Sequence, residues 1–299
     1  MAILIDEPRW PAHGTLWAHL VSDASEAELH AFARAAGLPP RSFDLDHYDV
    51  PAARHADLVA AGAERVSARE LITRLRASGL RVPAVDRHGR RVALLRQRWD
   101  GVMPGAAAVG AALLERWQEP HRTYHSLAHL RAVLDHLDAL RSDGTPVSRA
   151  VVVAAWFHDA IHGGTSPADE EASAALAERL LPGTGMDVGE VGEVARLVRL
   201  TATHDPASGD DAGAALCDAD LAVLGGPPQS YARYTAAVRR EYADVPDDAF
   251  RRGRAAVLRQ ILGMPRIYRT AAGRARWEAQ ARANIAAELA SLGAPPAPP

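Results

Sequence analysis

Val151-Val152-Val153-Ala154-Ala155-Trp156-Phe157-His158-Asp159 joins the longest apolar run of the chain, Ala150 to Phe157, to two ionisable side chains. The run is far shorter than the roughly 20 residues a membrane-spanning helix needs, so it belongs to the core of a folded domain. His158 and Asp159 enter that core with it. A buried imidazole beside a buried carboxylate is costly unless the pair is hydrogen-bonded, ion-paired or ligated. Two arrangements satisfy it: a neutral His–Asp hydrogen bond at a helix end, or a divalent cation that takes both side chains.

Seven of the thirteen histidines lie between 121 and 204, around this stretch. His125 and His129 are four apart and would share one face of a helix, although an isolated pair of this kind also occurs as surface or capping residues. Asp218-Ala219-Asp220 precedes the apolar Leu221-Ala222-Val223-Leu224. Carboxylates two apart diverge on a helix, so one would reach an ion while the other caps or supports from behind. Imidazole plus carboxylate without thiolate suits Mn, Fe, Co, Ni, Zn or Mg.

From about residue 90 onward the periodicity is helical, with Leu127, Leu130, Leu134 and Leu137 on one stripe and Val188, Val191 and Val198 on another. Ser166-Pro167-Ala168-Asp169 reads as a helix start, with Ser166 as cap and Pro167 at its first position. Further helices are expected over Gln229–Ala243, Asp247–Leu262 and Gly273–Leu292. Residues 1–90 instead alternate strand and helix signals in the order βαβαβα, with strands at Ala2–Ile5, Phe43–Leu45 and Glu64–Ser67, and another at Leu80–Val85. Ser25 with Glu28 and Ser67 with Glu70 have capping spacing, and Gly37, Gly62 and Gly79 fall at helix ends. Asp86-Arg87-His88-Gly89-Arg90-Arg91 reads as a turn or linker. The fold class expected is a small α/β domain (1–90), an all-α domain (94–293) and a disordered tail (294–299).

Composition excludes several classes. The 34 basic residues are all arginine, which removes lysine nucleophiles and Schiff bases, and a net charge of −3 provides no general field for nucleic acid or membrane. One cysteine, Cys217, forbids an internal disulfide. The acidic residues Asp6 and Glu7 follow too soon for a signal peptide, so a cytoplasmic protein is expected.

The order His, His-Asp, Asp resembles the HD superfamily of metal-dependent phosphohydrolases. Over roughly residues 94–293 the chain is similar to one bacterial subfamily of HD phosphohydrolases. The likeness rests on Tyr124-His125-Ser126-Leu127-Ala128-His129, Trp156-Phe157-His158-Asp159, Glu170 with Ser173, Thr203-His204, Leu216-Cys217-Asp218-Ala219-Asp220-Leu221, Arg240-Glu241-Tyr242 and Ala281-Arg282-Ala283-Asn284. His162 stands where that pattern has an aromatic residue, and Asp169 where it has Asn. Residues Ile5-Asp6, Pro8-Arg9-Trp10, Leu16-Trp17-Ala18-His19-Leu20, Glu28-Leu29-His30-Ala31-Phe32-Ala33 and His47-Tyr48-Asp49 resemble a small bacterial domain of unknown function. In it Asp6, with His19, Asp23 and His47, would gather at a sheet edge.

The resemblance implies an HD-type helical fold in which His129, His158, Asp159 and Asp220 ligate one or two divalent ions. His129 is favoured over His125, and Asp220 over Asp218. Asp159 would orient or deprotonate a water, His125 and His204 would face substrate phosphate or a second metal, and Arg122, Arg240, Arg254 and Arg282 would clamp phosphate. A nucleotide or other small phosphate ester is the substrate class implied. Two rival expectations are a two-iron oxygenase using His125, His162 and His204 at a second ion, and a non-catalytic nucleotide sensor with a structural metal.

Overall fold

The computed structural model describes residues 2–12, 14–82 and 87–293. Its contacts divide the chain into two compact units, Met1–Leu94 and Leu95–Pro299. The expected tail at 294–299, residues 83–85 of the expected strand and Asp86 of the expected linker lie outside the described residues. Leu80–Val82 is not a strand.

In the first unit, β1 (Ile3–Ile5), β2 (Trp10–Ala12), β3 (Thr15–Ser22), β4 (Tyr48–Pro51) and β5 (Glu64–Arg65) form one sheet with α1 (Glu26–Ala35), α2 (Ala52–Ala60) and α3 (Ala68–Ala77) around it. The side-chain period of two sorts its apolar residues to both faces. Ile3, Ile5, Ala18, Leu20, Tyr48 and Val50 pack with Leu29, Ala33 and Leu58, while Leu4 and Val21 pack with Leu71 and Leu75. Ser25 and Ser67 accept from the Glu28 and Glu70 amides as caps, and Gly37, Gly62 and Gly79 are left-handed.

The sheet corrects the simple βαβαβα expectation. Strands β1 and β4 run antiparallel to β3, and only β5 is parallel to its partner β1. The hairpin β2–β3 is not expected from the sequence, because β2 is only three exposed or half-exposed residues long and carries Pro11, so it shows neither burial alternation nor strand propensity. Phe43–Leu45 is not a strand. Phe43 makes one bridge to Tyr48, and the chain then turns through left-handed Leu45, with the Asp44 amide donating to His47 O.

The second unit is helical: α5 (Ala107–Arg116), α6 (Leu127–Ser142), α7 (Arg149–Phe157), α8 (Ala168–Leu180), α9 (Val188–Leu200), α10 (Asp211–Leu221), α11 (Pro228–Glu241), α12 (Asp247–Gly263), α13 (Ala271–Gly273) and α14 (Ala279–Gly293). Preceding them, α4 (Arg87–Val102) runs through the division between the units. The charged stretch Arg87–Arg91, expected to be linker, is therefore the start of a helix. Arginine is a good helix former, and the ion pairs Arg87–Asp44 (2.9 Å) and Arg90–Glu26 (2.6 Å) relieve the clustered charge. The apolar run is α7, buried almost all round against α6, α9 and α10. Its Trp156 lies edge-on to Trp99 of α4. Gly110 of α5 is required there, since a Cβ would lie 2.3 Å from the Trp99 ring. Helix α8 starts one residue later than its Ser-Pro signal indicates: Pro167 holds the cap position, and Ser166 does not cap it. Among the described residues no helix is long and apolar enough to cross a membrane.

Candidate metal centre

Helix ends converge on one point of the second unit. His129 sits in the first turn of α6, His158 caps the C-terminus of α7 and Asp159 follows it, and Asp220 lies in the last turn of α10. The His129 and His158 Nε2 atoms are 3.1 Å apart. Asp220 Oδ1 is 3.1 Å from the first and 3.6 Å from the second, and Asp159 Oδ2 is 3.6 and 3.2 Å from them. Donors about 2.1 Å from a common ion are separated by about 3–3.4 Å, so His129, His158 and Asp220, whose ligand atoms all lie within 4.8 Å of one another, have the spacing of one coordination shell, and Asp159 stands against both imidazoles beside them. His158 Nδ1 is engaged by Ala155 O at 2.8 Å, which leaves Nε2 facing the other donors. Two imidazoles and two carboxylates without thiolate fit a borderline or hard divalent ion. The floor is apolar and aromatic: Trp117 lies beside both His129 and His158 and is anchored by its Nε1–H to Trp156 O at 3.0 Å.

The alternatives left open by spacing are separated by the fold. Asp218 turns away from the cluster and is fully buried, accepting from the Arg269 amide (2.7 Å), the Thr270 amide (2.8 Å) and Thr270 Oγ1 (2.7 Å). It organises the chain entering α13, where a Cβ on Gly273 would lie 2.3 Å from its carboxylate. Burial pushes its carboxyl up despite those hydrogen bonds. Asp220 is the acid that meets the imidazoles, and His204, held in a left-handed conformation after α9, bonds its second oxygen at 2.8 Å.

His125 forms a second group beside the first. Its Nδ1 bonds Glu241, its Nε2 is 3.9 Å from Asp159 Oδ2, and His162 Nε2 is 3.2 Å from Glu241 Oε1. Each of His125, His162 and Glu241 brings a ligand atom within 4.8 Å of the other two. Glu241 ends α11, and its other oxygen accepts the amides of Thr123, Tyr124 and His125 at 2.6, 2.8 and 3.1 Å. Burial opposes a charged His125, but the carboxylates of Asp159 and Glu241 outweigh it and raise its pKa. At His129 burial, helped by the neighbouring His158 imidazole, outweighs the carboxylates, and its pKa is lowered. Burial works against ionised Asp159 as well, but the neighbouring imidazoles hold its carboxyl far below the ordinary range. Sequence reasoning assigned no role to Glu241. It lay inside the Arg240-Glu241-Tyr242 motif, where the arginine drew the functional reading.

The four arginines expected to clamp phosphate are placed otherwise. Arg122 is buried and donates to His125 O (3.2 Å), Asp159 O (2.7 Å) and Ala160 O (3.2 Å), tying the two ligand-bearing loops together. Arg254 pairs with Glu288 at 2.8 Å and Tyr234 at 2.9 Å. Arg282 pairs with Glu278 and the carbonyls of Leu262 and Met264. Arg240 is exposed on α11, and Glu241, the next residue, meets the histidines in its place. A guanidinium held by protein acceptors acts first as a strut, because its orientation is set by those partners.

In the first unit Asp6, His19 and His47 come together, with Asp6 Oδ2 3.2 Å from His19 Nδ1 and the two imidazole rings 4.8 Å apart. Asp23 does not join them, because it is held by Arg74 (2.6 Å) and the Ala2 amide (2.7 Å). Residues 3–78 match a family described as a protein of unknown function (DUF4031), which agrees with the likeness seen in that region. No curated protein and no solved structure matches the chain.

Proposed function

We propose that the second unit is a metal-dependent phosphohydrolase acting on a nucleotide or another small phosphate ester. The observation that carries this reading is the convergence of His129, His158 and Asp220 at coordination spacing, with Asp159 against both imidazoles, from three separate helix ends. Their order along the chain is the one that the resemblance to HD phosphohydrolases leads one to expect. A divalent ion bound there supplies Lewis-acid chemistry, acidifying water and withdrawing charge from a phosphoryl oxygen. Asp159 holds one oxygen toward the imidazoles, and its carboxylate would orient or deprotonate a water bound at that point. His125, backed by Glu241, lies on the Asp159 side of the cluster and is positioned to neutralise phosphate charge and to hand a proton to a leaving oxygen. His204 orients Asp220 from behind. With three of the four arginines committed to the protein and Arg240 exposed, the charge of the substrate falls to these histidines.

A second reading, a two-iron oxygenase, is favoured by the adjoining His125–His162–Glu241 group, which lies within reach of Asp159. A panel of phosphate esters, run on protein reconstituted with Mn, Co, Ni, Fe or Zn, tests the first reading. Turnover that is lost in His158→Gln supports it. Absence of turnover with every ester, together with the Mössbauer signature of a coupled iron pair, would replace it with the second. A nucleotide that binds without turnover would instead point to a sensor.

A further inference from the structure

We propose that the first unit has a divalent-metal site of its own, formed by His19, His47 and Asp49, with one coordination position open to a neighbouring cavity. It uses none of the residues of the second unit and stands apart from the phosphohydrolase reading. The β3–β4 register sets His19 directly opposite Asp49, and the period of two puts both on the sheet face that carries Val21 and α3. His47 immediately precedes β4. Each of the three residues brings a ligand atom within 4.8 Å of the other two, and His47 Nε2 is 3.4 Å from Asp49 Oδ1. That distance is the edge of a tetrahedron whose donors lie about 2.1 Å from a central ion.

The stronger argument is behind the imidazoles. Asp6 holds His19 Nδ1 at 3.2 Å, and Asp46 holds His47 Nδ1 at 2.6 Å. Both carboxylates are essentially inaccessible, at 1% and 2% exposure. Asp6 also accepts from the His19 amide (2.6 Å), and Asp46 from Arg81 (2.7 Å) and the Val82 amide (2.7 Å), so neither is free to rotate away. A carboxylate on Nδ1 fixes the tautomer, leaves the Nε2 lone pair available and raises its basicity, as in metal-bound histidines generally. A simple Asp–His ion pair requires one such arrangement. Two, converging on a third carboxylate, are what a cation site requires.

Two imidazoles and a carboxylate suit Zn, Co, Ni, Fe or Mn. Three protein ligands with a vacant fourth position are the count of a site that binds water or a ligand, in contrast to a closed structural site. His19 and His47 both line a cavity of about 370 Å³, together with Asp6, Trp10, Arg81 and Arg87, among others.

Cobalt titration of the chelator-stripped full-length protein tests the proposal, because four-coordinate Co²⁺ gives a strong visible absorption band. Relative to wild type, His19→Gln and Asp49→Asn should each lose one equivalent of tightly bound Co²⁺ and its band, and in protein already carrying His158→Gln, which removes the second unit's site, Asp49→Asn should lose the equivalent that remains. The Asp49 side chain is 46% exposed, so Asp49→Asn removes a ligand without opening the core and decides the matter if His19→Gln fails to fold. Unchanged stoichiometry and spectrum in Asp49→Asn, or no Co²⁺ binding by wild type, would overturn the proposal.

Discussion

Asp159 and Arg240 were paired by sequence as metal ligand and phosphate clamp, and their surroundings now separate them further. Asp159 lies 3.2 Å from His158 Nε2 in the cluster, while Arg240 is exposed on α11. Asp159→Ala should remove phosphatase turnover and weaken metal binding by at least about tenfold, since a lost ligand removes both charge and geometry. Arg240→Ala should leave metal content and kcat/KM within about twofold of wild type, the range expected of a solvated side chain. Full activity in Asp159→Ala would refute the mechanism, and a large loss in Arg240→Ala would restore the clamp. Arg122 should behave as neither ligand nor clamp. Arg122→Ala strands one buried and two part-buried carbonyls and should cost about 1–3 kcal/mol of stability, read as a lower Tm with or without metal.

Helix α10 illustrates how an element delivers a site residue. Asp210 caps it, accepting from the Gly213 amide at 2.9 Å, and pairs with Arg196 of α9 at 2.8 Å, so one carboxylate starts the helix whose last turn carries Asp220. The Arg196 guanidinium, aided by that amide, holds the Asp210 carboxyl below its ordinary value of 3.8. A depressed folded-state pKa stabilises the protein above the unfolded value and is lost as pH falls through the folded one. Asp210→Asn keeps a capping side chain but not the charge. It should be destabilised near neutral pH by about 0.5–1 kcal/mol, a figure kept small because Arg196 is half exposed. The difference should shrink as pH falls below 3.8 and vanish only beneath the lowered folded-state value, where both proteins carry an uncharged cap. Denaturant melts of both proteins across pH 3–7 check this, and a difference that does not change with pH would show that the ion pair contributes nothing.

At the scale of the whole molecule, the division falls between Leu94 and Leu95, inside α4, whose Leu95 and Trp99 are buried in the second unit. A fragment beginning at Val92 would start inside this helix and shorten it ahead of those anchors. A fragment of residues 87–293 keeps α4 whole. It should melt cooperatively and retain the metal of the His129 cluster, since all four of its ligands lie in the second unit. Insolubility, or loss of that metal while the full chain holds it, would show that the second unit does not stand alone.

Several features of this protein were legible in local sequence. The caps at Ser25 and Ser67, the left-handed glycines after α1 to α3, the buried helix at 149–157 and the demand for a partner at His158-Asp159 each depend on residues within a turn or two of one another. Local hydrogen bonding and hydrophobic periodicity decide such features. The tertiary structure alone decided the rest. Asp218 is taken by the Arg269 and Thr270 amides, some fifty residues along the chain, and Arg122 by the carbonyls of Asp159 and Ala160. Glu241 is set against His125 more than a hundred residues away, and Asp49 in place of Asp23 joins His19 through strand register. Whether a carboxylate or guanidinium is left for a ligand depends on which distant backbone groups fold onto it first. That competition has no signature in the spacing of the residues themselves.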